Sequence, residues 1–198
     1  MVATPDRIIA ATNELFRRYG YNGTSLSQIS HAATATTGSI YHFFPGGKEE
    51  LGVAVIDTTG QVYRELFEAI AAEQPDPASA FRHFFVGAAN VLEGSDFIDP
   101  CPIGTVAREV ANTSDPLRRA AERAFNSWIA SAQDYLSHAG IESDAARDLA
   151  TMFVAAVEGG FVVCRTLRST DPLDAIAHGV VAAIDRAPRK RSEPASRS

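Results

Sequence analysis

Apolar residues recur three and four places apart along nearly the whole chain and nowhere alternate with polar ones over the length of a strand, so the pattern predicts helices throughout. The first stripe is Ile8, Ala11, Leu15, Phe16 and Tyr19. Thr4 can cap it, Pro5 suits its first turn and Gly20 ends it. A short second helix follows, capped by Thr24 or Ser25, with Leu26, Ile29 and Ala33 facing inward. After a tight connection at Thr34 and Ala35, Thr36 can cap a third short helix. Its Ile40 and Phe44 share an inward face, and Pro45 prevents its continuation.

Two short helices joined by a tight turn behind a longer supporting helix are the helix-turn-helix arrangement, in which the last helix enters the DNA major groove. With Ile40 and Phe44 inward, that helix presents Gly38, Ser39, Tyr41 and His42 outward and carries Thr37 at its tip. Hydroxyls, a phenol and an imidazole suit phosphates and base edges. Gly38 costs about 1 kcal/mol relative to alanine inside a helix, which points to close backbone approach to DNA. Gly46 and Gly47 then make a turn, and Lys48 opens a long helix where its charge opposes the dipole, a placement that fits a phosphate contact.

Beyond Leu51 the stripes lengthen. The fourth helix carries Val55, Ile56, Val62, Tyr63, Leu66, Phe67 and Ile70 and closes at Pro75-Asp76-Pro77. A fifth bears Phe81, Phe84, Phe85, Ala88, Val91 and Leu92 on one side, and Gly94 to Pro102 reads as a loop. Ile103 to Ala111 is a short helix, and Asp115-Pro116 opens a long one with Leu117, Ala121, Phe125, Trp128, Ile129, Ala132, Tyr135 and Leu136. From Ser143 to Arg168 the stripe of Leu149, Met152, Phe153, Ala156, Val157, Gly160, Phe161 and Cys164 is joined by Val154, Ala155, Val162 and Val163 on the other side. A helix apolar all round must be covered on several faces. Small residues at Ala155, Ala156, Gly159 and Gly160 permit close approach, and Gly160→Arg is expected to break a dimer contact there. The last helix, Pro172 to about Arg186, repeats the theme with Leu173, Ile176, Ala177, Val180, Val181 and Ile184. These two helices are expected to pair with their symmetry mates through Ala155, Gly159, Val162, Val163, Ile176 and Val180.

The bundle is large enough to enclose a pocket. Phe84, Phe85, Ile103, Phe125, Trp128, Met152 and Phe153 are its expected walls, favouring a small hydrophobic or aromatic effector. Glu158 is out of place in an apolar helix. It either receives a polar group of the ligand or makes a hydrogen bond at the interface.

Composition narrows the function. The chain has 198 residues, 45% of them hydrophobic, enough for a real core. A net charge of −6 argues against coating nucleic acid through bulk charge, so DNA affinity must come from a local surface and two-fold binding. Cys101 and Cys164 lie far apart with no histidine at ligand spacing, which suggests neither a disulfide framework nor a metal site, and no cofactor is expected. The scattered His31, His42, His83, His138 and His178 give no catalytic cluster, so an enzyme is not expected, and a purely structural adaptor would not need the outward Thr-Gly-Ser-Tyr-His face. The N-terminus lacks a signal-peptide pattern and no apolar run approaches a membrane span, so a cytoplasmic protein without membrane contact is expected.

The segments GYNGTSLSQISHAA and TATTGSIYHFFPGGKEEL resemble the DNA-binding signature of the TetR repressor family. The Pro-Gly-Gly-Lys run, with Cys101-Pro-Ile-Gly-Thr-Val-Ala107, resembles the branch that includes LmrA and YxaF. Two positions depart from the family pattern: Thr34 stands where glycine is common, and Phe43 where histidine is common. The resemblance implies an all-α protein, with residues 1–50 as a three-helix helix-turn-helix DNA-binding domain and 51–186 as a helical bundle for ligand binding and dimerisation; residues 187–198, with two prolines, many charges and no large apolar residue, are expected to be a disordered tail. It implies that Thr24, Ser25, Tyr41, His42 and Lys48 hold phosphates while Thr36, Thr37, Gly38 and Ser39 approach base edges. The function that follows is that of a homodimeric repressor on a palindromic operator of double-stranded DNA, released by a small hydrophobic molecule.

Overall fold

Every stripe becomes a helix, with ends set by local capping chemistry. The computed structural model describes residues 4–98 and 101–190. Among these the order is α1 (Thr4–Tyr19), α2 (Leu26–Ala32), α3 (Thr37–Phe43), α4 (Gly47–Glu73), α5 (Pro77–Gly94), α6 (Pro102–Val110), α7 (Asp115–His138), α8 (Ser143–Leu167) and α9 (Asp171–Arg186). No strand occurs among the described residues, and the one extended pairing is an isolated bridge between Ile141 and Arg189. Ser25 caps α2 in a reciprocal box with Gln28, and Asp76 caps α5 ahead of Pro77 by accepting from the Ser79 N–H at 2.8 Å. Gly20 ends α1 at φ +73°, a conformation glycine adopts freely.

Two apolar cores lie end to end. The first joins α1, α2 and α3 to the start of α4, to α6 and to the first half of α7, around Phe16, Ile29, Ile40, Leu51, Ile56, Ile103 and Leu117. The second fills the space between the rest of α4, α5, the rest of α7, α8 and α9, around Phe67, Phe81, Phe85, Leu136 and Phe153. Phe125, Trp128 and Phe161 pack against both. The helix-turn-helix therefore shares a continuous core with α4, α6 and α7, and α4 runs from one core into the other.

Several expectations need correction. Tyr19 is 55% exposed, and the inward face of α1 is Ile8, Thr12 and Phe16; Thr12 is tolerated inside because its hydroxyl donates to the Ile8 carbonyl at 2.7 Å. Val62 also lies outward on α4. The expected disordered tail begins too early. The Glu142 N–H donates to the Pro188 carbonyl and the Lys190 N–H to the Gly140 carbonyl, which holds 187–190 against the α7–α8 turn. The rest of that tail, 191–198, lies outside the described residues. By length and composition α8 is apolar enough to cross a membrane, contrary to the sequence reading, but here it packs on α7 and α9.

Candidate nucleic-acid interface and ligand cavity

The third helix is short because both ends are fixed. Thr36 caps it, accepting from the Ser39 N–H at 3.0 Å and pairing with the Ser39 hydroxyl at 2.9 Å, and Ile40 and Phe44 anchor its inner face. Its outer face presents Thr37, Gly38, Tyr41 and His42, with Ser39 half-buried. At Gly38 a side chain would meet only open space and the Thr36 hydroxyl oxygen at 3.7 Å, so nothing within the chain requires glycine there. Tyr41 lies against Gly47, where the turn into α4 takes φ +66°. The α2–α3 turn passes through Thr34 at φ +49°, the left-handed region that a β-branched residue enters at a cost.

Two expected phosphate contacts have other partners. Thr24 is 2% exposed and donates its hydroxyl to the Gly20 carbonyl at 2.7 Å, so it holds the α1–α2 corner and offers nothing to a phosphate. Lys48 reaches back to the same corner. Its ammonium donates to the carbonyls of Tyr21 at 3.0 Å and Thr24 at 2.9 Å and sits 4.2 Å from the centre of the Tyr21 ring. Burial pulls its pKa below the ordinary lysine value, opposed by nearby Glu109. The opposition to the α4 dipole is met by this clasp, and one N–H remains for a phosphate. Ser25 stays exposed at the head of α2.

The second site is a cavity of about 290 Å³ between α4, α5, α7 and α8. Of the expected walls, Phe84, Trp128, Phe153 and Glu158 line it. The others do not. Phe85 and Ile103 are sealed in the two cores, Phe125 lines a neighbouring hollow, and Met152 is 39% exposed on the outer side of α8. The sequence reading missed Tyr63, Phe67, Val157 and Cys101, whose apolar stripes gave no sign of which members face a void. It also missed Arg17, which lines the cavity from α1 and had no apolar signal. Trp128 is oriented by its indole N–H, which donates to the Gly60 carbonyl at 2.8 Å.

One end of the cavity is polar. Burial lifts the Glu158 carboxyl from 4.5 to about 7, against the pull of a hydrogen bond with Cys101 and the charge of Arg108. Burial and Glu158 in turn push the Cys101 thiol well above its ordinary range, and burial raises the Tyr63 phenol to about 12. Glu158 rests on the first turn of α6, where a side chain at Gly104 would overlap its carboxylate. The far end of α6 grips the helix-turn-helix: the Glu109 carboxylate accepts from the Asn22 N–H at 2.7 Å and lies against Gly20. A short helix thus touches the polar end of the cavity with one end and the α1–α2 corner with the other. No group of metal-ligating side chains occurs among the described residues.

The outer side of α8 exposes Met152, Ala155, Gly159, Val162, Val163 and Leu167, four of them expected at a dimer contact. Two expected contacts turn the other way. Val180 is 3% exposed in the second core, and Ile176 packs inward on α8. Gly160 is also internal, since a Cβ there would meet Leu173 Cδ2 at 2.7 Å and Ile176 Cδ1 at 2.9 Å.

Comparison with known proteins agrees with this geometry. Residues 8–55 match the family of bacterial regulatory proteins of the tetR type, and residues 77–179 match the C-terminal domain of LmrA/YxaF-like transcriptional regulators. The chain is 33% identical to the regulator YxaF of Bacillus subtilis, over 88% of this chain and 92% of that one. It is 30% identical to LmrA of the same organism, over 85% and 89%. A TetR regulator from Legionella pneumophila superposes with a TM-score of 0.81 at 25% identity, covering 91% of this chain and 96% of the other. The chain therefore belongs to the TetR family of helix-turn-helix DNA-binding transcriptional regulators, in the branch with an LmrA/YxaF-like C-terminal domain, and is a regulator and not an enzyme.

Proposed function

We propose that the chain acts in the cytoplasm as a homodimeric repressor, with one α3 in each half of a palindromic operator, and that a small hydrophobic or aromatic molecule in the cavity releases it. The observation that carries this reading is the cavity itself. Apolar side chains of α4, α5, α7 and α8 form most of its wall, and Arg17 of the DNA-reading unit completes it. One ligand would touch both parts of the chain.

On the DNA side, Thr36, Thr37, Gly38 and Ser39 are at the tip of α3 for base edges, and Ser25, Tyr41, His42 and the remaining N–H of Lys48 suit phosphates. Gly38 supports this assignment because its own fold leaves the space above it empty. Thr36 already spends its hydroxyl on the cap, so its methyl is the group left for a base. On the dimer side, the exposed Ala155, Gly159, Val162 and Val163 of α8 meet the same strip of a second copy.

Release follows from two levers. α4 crosses from the cavity to the helix-turn-helix, and α6 links Glu158 to the α1–α2 corner through Glu109. Half-sites lie about 34–36 Å apart, so a small tilt of each unit spoils their simultaneous fit. A large response requires the ligand to favour the DNA-free form by a few kcal/mol. The test is operator affinity of the purified dimer, located by footprinting its own upstream region, with and without apolar aromatic compounds. A fall in affinity that Glu109→Gln blunts supports the reading. Unchanged affinity across the panel, with the protein folded and dimeric, rejects it.

A further inference from the structure

Three hollows lie side by side along α8 and share walls. The inner cavity shares Cys101, Glu158 and Phe161 with a second hollow of about 270 Å³ beside α6. That hollow shares Arg108, Val162 and Arg165 with an open cleft of about 620 Å³ between α1, Phe97 and Ile98, and the end of α8. Chemical character reverses from the inner hollow to the outer. The inner end is walled by Phe67, Phe84, Phe153 and Trp128, whereas the outer cleft is lined by Arg18, Arg108, Arg165 and Arg168.

Two of these arginines are matched by carboxylates, Arg18 by Glu14 and Arg168 by Asp96. Arg165 donates its Nε–H to the Phe97 carbonyl at 3.1 Å and keeps its terminal nitrogens. Arg108 acts on Glu158 only through its field. The cleft thus has positive charge to spare in a chain whose net charge is −6. Its rim is apolar, because Tyr19 and Ile98 line it and are exposed, and Val162 bounds it from the strip of α8 proposed to meet the second copy. At the junction, burial keeps Glu158 partly protonated near neutral pH, so the neck does not present a full negative charge.

We propose that the effector is an anionic amphiphile, its apolar body in the inner cavity and its carboxylate or phosphate head in the arginine cleft, threaded past Phe161. This rests on reading the cavity as the effector site and adds the class of molecule that fills it. Guanidinium groups bind both heads through paired, charge-assisted hydrogen bonds, and partial enclosure strengthens them relative to open water. Because Arg18 and Tyr19 belong to α1, a head bound here also bears directly on the DNA-reading unit.

The probes are decanoate, decyl phosphate and decanol, titrated calorimetrically below their aggregation thresholds into the full-length dimer and into the double variant Arg108→Gln, Arg165→Gln. Decanoate or decyl phosphate should bind about tenfold or more tightly than decanol, and the stronger of the two identifies the head group. The double variant should bring both anions down to the affinity of decanol and leave decanol unchanged, while Arg108→Lys should retain part of the preference. Equal binding of all three probes to the wild type would overturn the anionic head and leave the cavity reading standing. Loss of the dimer in the double variant with anion affinity unchanged would also overturn it, because the cleft would then belong to the partner protomer. If no probe binds and apolar aromatic compounds leave operator affinity unchanged, both readings fail together.

Discussion

At Thr34 the chain accepts a left-handed conformation with a β-branched side chain, which costs about 1–3 kcal/mol, offset elsewhere in the helix-turn-helix. Thr34 is exposed, so its side chain contributes little packing in return. Thr34→Gly is expected to stabilise the protein by about 1 kcal/mol, because relief of strain outweighs the roughly 0.5–1 kcal/mol entropic cost of glycine. Chemical denaturation of the two proteins measures it, and a less stable variant would show that the strain is not there. Glu158 gives a second test. Its pKa of about 7 in the folded chain lies above the ordinary 4.5, so between these values the folded state holds a proton that the unfolded state has released. Stability should therefore fall as pH rises through this window and level off above it, at about 1.4 kcal/mol per unit of pKa difference. Glu158→Gln has nothing to titrate and should lose this fall, so thermal melts across the window should separate the two proteins most at the alkaline end, with the variant more stable. Parallel curves would mean that Glu158 is solvated.

Among the helices, α8 separates what periodicity can tell from what it cannot. Its all-round apolarity implied two covered sides; one packs into the second core, and the other is an exposed strip of small and aliphatic residues, the surface proposed for the dimer contact. Periodicity fixes angles between residues on one helix but not the rotation of that helix against its neighbours. Met152 was therefore assigned to the cavity, and Ile176 and Val180 to the outer surface, when each faces the other way. The same ambiguity placed Gly160 on the outer side. Gly159 has nothing within 4 Å of a Cβ position, whereas Gly160 is closed off by Leu173 and Ile176. Gly159→Arg should yield folded monomers by sedimentation, since an unpaired charge at a close contact is costly. Gly160→Ala should lower stability and leave the dimer intact. A dimeric Gly159→Arg would place the interface elsewhere.

Across the whole molecule, the parts legible in sequence were those whose signal is local. Capping residues, Gly20, Pro45 and the Ile40–Phe44 pair delimited the helix-turn-helix, and the long stripes delimited the bundle. Contacts between distant segments were not legible. Asn22 and Glu109 meet across 87 positions, Trp128 and Gly60 across 68, and Arg17 reaches the cavity only because α1 packs beside α6 and α4. Lys48 was singled out correctly as unusual, but its partners are carbonyls brought near by the α1–α2 corner, which no spacing rule reveals.

The account depends most on the outer face of α3 meeting bases, and Thr37 is the residue at its tip with an exposed side chain. The direct measurement is fluorescence anisotropy of wild type and Thr37→Ala on the footprinted operator, on a panel of single-base variants and on nonspecific DNA, across a range of salt. Thr37→Ala is expected to lose roughly 1–3 kcal/mol at one symmetric pair of operator positions, with nonspecific affinity and salt slope unchanged. A variant that binds every sequence as the wild type does would contradict the assignment of α3 to the groove.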